Sequence, residues 1–382
     1  MDKVMDRNKV EKVDTFKSGR FAFSRYYSPE RILELDLRAK ILYATIVDLP
    51  ILPTLSSKLE EDVIRRSIFG TAAIEGNPLT EEQVQGVLEL SPEGKSPIEE
   101  RAEREIANLR VAYRILDEAE TEDHRISEGL IRRIHKLITL GIEHPENIPG
   151  KYRGHIVKVG DKDHGGVYTP PKNLADVRIL MKDFVRWMNG NDVIQLDPVI
   201  RGALAHYHLA LIHPFGDGNG RTARLIEALI MRRAGIRYAP LMLSNYYYKN
   251  IDEYFWAFSK SIKNKEKDVT PFLEIVFKGL CESLEEIKGR ITHFIRLFTM
   301  RDYFAFLRED RGITQRQHDL LGILLEYLAP FTLNDLYSKP LFRLLYRSVS
   351  ERTARRDLHK LESMNILTKK NGEYLLNLRA LD

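Results

Sequence analysis

Apolar positions recur at steps of three and four along most of this chain, which is the spacing of helices packed on one face. Ala223, Leu225, Ile226, Leu229 and Ile230 predict a helix over Arg221–Arg233, opened by Asn219 and Gly220 and stopped at Gly235. The same pattern predicts helices over about Pro29–Val47 and Glu60–Glu75, separated by the break Asp48–Pro53 (DLPILP). The second ends at Gly76-Asn77-Pro78. Thr80 with Gln83 forms a capping-box signature for a further short helix. Ser91–Lys95 reads as a loop. Ser96-Pro97-Ile98-Glu99 then supplies an N-cap, a first-turn proline and an acidic third position for a long helix to about Ala119. Ser127–Leu140, Asn173–Met188 and the stretch from Asp197-Pro198 into His213 are helical by the same reasoning, and the chain reads as helical from there to about Phe298.

Two segments depart from this period. Residues 1–28 are charged and weakly patterned, and an extended arm is expected. Gly150–Pro171 alternates at His155, Val157 and Val159, turns through Gly160–Gly166 and returns through Val167 and Tyr168, which predicts a β-hairpin with a long loop. After Asp310 the composition changes. Thr314–Tyr327, Thr332–Tyr337 and Val349–Met364 read as helices. Ile366-Leu367 and Tyr374–Leu376 flank a short turn, so this region resembles a winged helix. The expected organisation is mainly α, with an N-terminal region over 1–95, a core over 96–298 carrying the hairpin at 150–171, and a winged-helix domain over 305–382.

Composition narrows the function only a little. The 382 residues leave room for two or three domains, and 43% hydrophobic content is ordinary for a globular protein. The net charge of +4 is too small to indicate nucleic acid by itself. A single cysteine, Cys281, excludes an intramolecular disulfide and a cysteine metal cluster, and is expected to be buried. No apolar run approaches the roughly 18 residues of a membrane span, so no membrane contact is expected. The polar first residues lack the apolar core of a signal peptide, and the expected location is the cytoplasm.

The chemistry is concentrated in His213-Pro214-Phe215-Gly216-Asp217-Gly218-Asn219-Gly220-Arg221-Thr222-Ala223-Arg224. A glycine-rich loop feeding a helix N-terminus presents unpaired N–H groups and the positive end of the helix dipole to an anion. Arg221 and Arg224 stand in the first turn, where cations oppose that dipole. Their placement points to a multiply charged anion such as a polyphosphate. His213 can take a proton near neutral pH.

This run resembles the signature of the Fic family, His-x-Phe-x-(Asp/Glu)-Gly-Asn-Gly-Arg-x-x-Arg, at every position. The resemblance implies a Fic-type helical bundle whose hairpin 150–171 is a flap, and a nucleotidyltransferase that moves AMP from ATP to a protein hydroxyl. It implies His213 as general base and Asp217 as the ligand of Mg²⁺. Gly216, Gly218 and Gly220 would line the phosphates and Asn219 would donate to them. Arg221 and Arg224 would hold the leaving pyrophosphate. Gly220, where a kinase-like branch of the family has lysine, favours AMP transfer. Tyr246 and Asn250 are candidates for the nucleotide. A target protein would dock on the flap by strand addition.

Thr71-Ala72-Ala73-Ile74-Glu75-Gly76-Asn77 resembles the family's inhibitory motif, (Ser/Thr)-x-x-x-Glu-(Gly/Asn). The implied action is that Glu75, at the end of a helix spanning about 60–76, pairs with Arg224 and displaces the γ-phosphate. Two other readings stay open. One is removal of AMP from a modified protein, with Glu75 positioning water. The other is a nucleotide-responsive regulator acting through the winged helix, where Arg352, Arg355, Arg356, Lys360, Lys369 and Lys370 suit either a DNA contact or a protein-interaction or dimerisation surface. His206 and His208 are assigned to packing or local hydrogen bonds.

Overall fold

A computed structural model of the chain describes residues 9–90, 100–120 and 125–381. The loop expected over Ser91–Lys95 and the cap expected over Ser96–Glu99 lie outside the described residues. The chain forms two compact units, one running to Asp48 and over Leu52–Ile287, the other comprising Leu49–Ile51 with Lys288 onward.

The segment expected to be an arm is a hairpin of β1 (Val10–Asp14) and β2 (Arg20–Ser24), antiparallel with Val10 opposite Ser24 and Asp14 opposite Arg20. Glu11, Lys12 and Asp14 crowd β1 so that no alternation shows, although Val13 is buried, and β2 buries Phe23 completely. The turn is held from outside the hairpin. Asp176 is fully buried and accepts from the Phe16 amide at 2.7 Å, the Lys17 amide at 3.1 Å and the Ser18 hydroxyl at 2.5 Å.

Then follow α1 (Pro29–Val47), α2 (Pro53–Ile74), α3 (Glu81–Leu90), α4 (Arg101–Tyr113), α5 (Glu128–Thr139), α6 (Leu174–Met188), the single turn α7 (Asn191–Ile194), α8 (Pro198–Ile212), α9 (Asn219–Arg233), α10 (Ala239–Lys249), α11 (Ile251–Lys263) and α12 (Thr270–Glu309). Several starts follow their sequence signals. Thr80 and Gln83 exchange side-chain bonds to each other's backbone at 3.3 and 2.8 Å. Ser127, Asn173 and Asp197 each cap the helix that follows. α2 starts seven residues before the expected Glu60, because Pro53 occupies its first position. The helix expected to reach Ala119 leaves regular geometry at Tyr113 and continues as a 3-10 stretch over Arg114–Glu120.

α8 and α9 are buried on nearly every side, the mark of central helices. α2 is fixed against α10 at very short range: a Cβ on Gly70 would lie 2.6 Å from the Asn245 Cα. That contact sets the position of the last turn of α2. The hairpin between α5 and α6 is present in its shortest form. Val159 and Tyr168 exchange both backbone bonds, at 2.9 and 2.7 Å, and this is the bridge that closes it. Gly160, Gly165 and Gly166 all take positive φ in its loop.

The second unit holds the later part of α12 and then α13 (Gln315–Glu326), α14 (Asp335–Ser338), α15 (Pro340–Tyr346), α16 (Glu351–Ser363) and a ribbon of β3 (Leu367–Lys370) and β4 (Glu373–Leu376). α15 has no counterpart among the sequence expectations. Its core joins Phe304, Leu320, Phe331, Phe342, Leu358 and Leu361, all at most 2% exposed. Among them Asp357 is buried and satisfied, accepting from Arg316 Nε at 2.7 Å, Gln317 Nε2 at 3.1 Å and the Tyr346 hydroxyl at 3.3 Å. No described helix of the chain is long and apolar enough to cross a membrane.

Candidate active site

α8 ends at His213, whose backbone is left-handed (φ 48°, ψ 59°). A non-glycine residue there is strained, at a cost of order 1–3 kcal/mol, unless its surroundings hold it. The holder is Arg153, only 3% exposed. Its Nε donates to the His213 carbonyl at 2.7 Å, its Nη1 to the His155 carbonyl at 2.6 Å, and its amide to the Pro214 carbonyl at 2.9 Å. Arg153 was invisible in the sequence, because its partners are carbonyls and carry no signature.

The loop after His213 is fixed from within and below. The Asn219 side chain accepts from the Phe215 amide and donates to the Phe215 carbonyl, both at 2.9 Å. In this structure, then, the amide expected to face phosphate ties the loop to itself. Phe215 is fully buried and stacks on His135, with centroids 3.7 Å apart and planes 3° apart. His135 Nδ1 accepts from the Gly150 amide at 2.9 Å, so its Nε2 carries the proton and donates to the Asp217 carbonyl at 2.8 Å. Burial pushes the His135 pKa down to about 4, which keeps the ring neutral. A Cβ on Gly216 would come within 2.3 Å of the Glu146 carbonyl, so that glycine is required by close backbone approach.

His213 is half-buried. Its Nδ1 lies 3.3 Å from the Ala210 carbonyl, which assigns the proton to Nδ1 and leaves the Nε2 lone pair open. Burial lowers its pKa to about 4, and the Ala210 bond opposes this only in part. At neutral pH the ring is therefore an unprotonated base.

Arg221 and Arg224 point to different partners. Arg221 Nη2 reaches both oxygens of Asp217, at 3.0 and 3.1 Å, and Asp217 Oδ1 also accepts from the Gly218 amide at 2.6 Å. Burial raises the Asp217 carboxyl, but Arg221 and the Gly218 bond outweigh it, so the group stays ionised. Arg221 Nη1 stands 3.7 Å from Glu105. Buried as it is, Arg221 leaves Nε and Nη1 without a hydrogen-bond partner among the described residues. Donors left open in this way suit an incoming anion.

Arg224, 3% exposed, donates from Nη2 to Glu75 Oε1 at 2.6 Å, from Nε to the Thr71 hydroxyl at 2.8 Å and from Nη2 to the Thr71 carbonyl at 3.2 Å. Nη1 lies 3.4 Å from the Tyr254 hydroxyl. Burial favours a neutral Glu75, but Arg224 and then Arg221 reverse this and lower its pKa. The pair is possible because position 220 has no side chain. A Cβ there would stand 2.2 Å from Glu75 Oε1 and 3.0 Å from Arg224 Nη1.

His213, Gly220, Arg224 and Glu75 line one cavity of about 560 Å³. Its other walls are the flap, with Val159 and Tyr168, and α11, with Tyr254, Phe255, Phe258 and Ile262. Those α11 residues recur at helical spacing, and that stripe was the available signal for them. His206 supports this wall: it bridges Glu227 and the Tyr254 hydroxyl at 2.9 Å each. His208 sits within 3.1 Å of the Ser24 backbone, in an aromatic nest. Tyr246 and Asn250 stand apart from the cavity lining. The Tyr246 ring packs over Gly279, and the Asn250 amide donates to the Tyr246 carbonyl at 3.0 Å at the end of α10. Among the described residues no group of three acidic, histidine or cysteine side chains forms a cation cage.

Residues 125–231 match the Fic/DOC family. The chain is 31% identical over 221 residues to the protein adenylyltransferase Fic of Drosophila erecta, and 38% identical over 182 residues to protein adenylyltransferase fic-1 of Caenorhabditis briggsae. These alignments cover 57% and 46% of this chain, but only 41% and 33% of the relatives. Among solved structures, Fic-1 of C. elegans is 26% identical with a TM-score of 0.55, over 69% of this chain and 72% of that one. A Fic family protein from Desulfovibrio desulfuricans G20 shares the fold at 21% identity, with a TM-score of 0.57, over 92% of this chain and 97% of that one. Residues 125–231 thus match the Fic/DOC family, and the chain shares the helical fold of these solved Fic proteins.

Proposed function

We propose that the protein is an adenylyltransferase, held in check by its own Glu75, that moves AMP from ATP to a hydroxyl of a protein, itself included. The observation that carries this reading is the meeting of an unprotonated His213, the Gly220 backbone and Arg224 on one cavity closed by the flap. Triphosphate would lie along the N-terminus of α9, against its amides and the open donors of Arg221, with Arg224 as the partner of the outermost phosphate. The slot between Val159 and Tyr168 on one side and Phe255 and Phe258 on the other suits the face of an adenine.

In the transfer, His213 Nε2 takes the proton of the target hydroxyl as that oxygen bonds to the α-phosphorus. The bond from the α-phosphorus to the bridging oxygen breaks, and pyrophosphate leaves between the two arginines. The Asp217 carboxylate fits a magnesium ion of the kind bound by one or two carboxylates plus substrate phosphates. That ion would neutralise charge on the leaving group. The target enters over the flap, whose Ile156 and Val167 are 61% and 53% exposed and whose bridge leaves backbone groups open for strand addition.

ATP labelled on the α-phosphorus tests the reading directly. The protein retains that label in a denaturing gel and none from the γ-phosphorus. Retention of the γ label alone would make it a kinase, and release of AMP from a pre-modified chain, dependent on Glu75, would make it a hydrolase. Arg153→Met, which removes the guanidinium clamp but keeps an unbranched apolar stem, lowers the transfer rate about a hundredfold, the order expected when a reacting group moves by an ångström. Nucleotide affinity changes far less. An unchanged rate in a folded variant would show that the loop needs no such support.

A further inference from the structure

The second unit carries a surface that the nucleotide chemistry does not use. In α16, Ala354, Asp357, Leu358 and Leu361 face inward and are at most 2% exposed. The opposite face presents Arg352, Arg355, Arg356, His359, Lys360 and Ser363, all exposed. At 3.6 residues per turn these six fall within an arc of about 140°. From Arg343 to Lys370 the chain has eight lysines and arginines against three acidic residues. One of the three, Asp357, is buried and spent on Arg316, and another, Glu351, is paired with Arg355 at 2.5 Å. α15 and α16 are joined by Arg347–Ser350, and Ser350 caps α16 by accepting from the Thr353 amide at 3.3 Å. A four-residue turn of this kind joins the helices of a helix-turn-helix. The ribbon ends in an exposed tip, with Lys369 and Lys370 before Asn371 (φ 52°) and Gly372 (φ 86°).

We propose that this unit binds duplex DNA, with the basic face of α16 in the major groove and the β3–β4 tip on the flanking backbone. The groove of B-DNA admits one helix, whereas the deep, narrow major groove of duplex RNA does not. An anionic membrane would call for apolar side chains among the cations, and that arc of α16 has none. The site is independent of the adenylyltransfer reading, and its test needs no nucleotide.

The test is fluorescence anisotropy of a mixed-sequence duplex titrated with the full-length protein at rising salt. Micromolar binding is expected at low salt, falling with a log–log slope of about −0.9 per phosphate contact. Arg352→Glu with Arg356→Glu weakens binding at least tenfold and flattens that slope by about two. Leu344→Glu, on an exposed apolar position of α15 outside the basic arc, leaves both unchanged. Circular dichroism establishes that each variant is folded. Absence of binding at low salt, an unchanged slope in the charge-reversed protein, or tighter binding to vesicles of anionic lipid than to the duplex would each overturn the proposal.

Discussion

Glu75→Gly raises the rate at which the protein attaches AMP to itself by roughly 5- to 150-fold, the range spanned by a coupling of about 1–3 kcal/mol between two mutually exclusive states. Glu75 and the outermost phosphate compete for Arg224 in the proposed reading. The guanidinium is 3% exposed, so it cannot swing into solvent to serve a phosphate and Glu75 at once. Its Nη2 is the atom that meets Glu75, at 2.6 Å, while Nε and the second Nη2 contact hold Thr71. Removing the carboxylate leaves the Thr71 and Tyr254 contacts to keep Arg224 in place with one donor free. Because Gly70 locks α2 to α10, Glu75 does not move aside by a small shift of its helix.

The same substitution leaves a buried cation without its anion, which is destabilising. ATP restores the missing charge. The variant therefore melts below the wild type without nucleotide and gains more from saturating ATP, as binding to the folded state requires. That second readout separates a brake from a fold defect. Equal labelling of both proteins, with equal gains in melting temperature, would show that the Glu75–Arg224 contact is structural only.

What the sequence disclosed and what it hid divide along physical lines. Helix starts marked by local chemistry, at Pro29, Thr80, Ser127, Asn173 and Asp197, were legible because a cap is made by neighbours in the chain. So was the grouping of His213, Gly220 and Arg224, since a single loop and helix turn carry all three. Glu75 came within reach only through its resemblance to a family motif, for it lies 149 residues from Arg224. Arg153, His135 and Asp176 were not legible. Each works by bonding backbone atoms distant in sequence, and nothing in residue type or spacing announces that. The β1–β2 hairpin was hidden because three of the five residues of β1, Glu11, Lys12 and Asp14, are charged and two of them are adjacent, which leaves no alternating pattern to read. Tyr246 and Asn250 drew attention as an aromatic cluster, but that cluster packs into the core, while the cavity wall comes from the next helix, through Tyr254, Phe255 and Phe258.

His213→Ala, made in the Glu75→Gly protein so that the starting rate is high, lowers AMP transfer about 10²- to 10⁴-fold, the contribution of a positioned base. The structure shows why no neighbour takes over. His135 is neutral too, but both its nitrogens are engaged, with the Gly150 amide and the Asp217 carbonyl. His206 is spent on Glu227 and Tyr254 behind the wall. His213 alone of these combines an open Nε2, a pKa of about 4 that keeps it unprotonated at pH 7, and a place on the cavity. In the proposed reading Arg221 and Arg224 hold the triphosphate without this ring, so ATP affinity, measured by calorimetry, is expected to change by less than about tenfold while the rate collapses. A loss of affinity that matches the loss of rate would make His213 a binding residue. Labelling at the rate of the parent protein would remove it from the reaction.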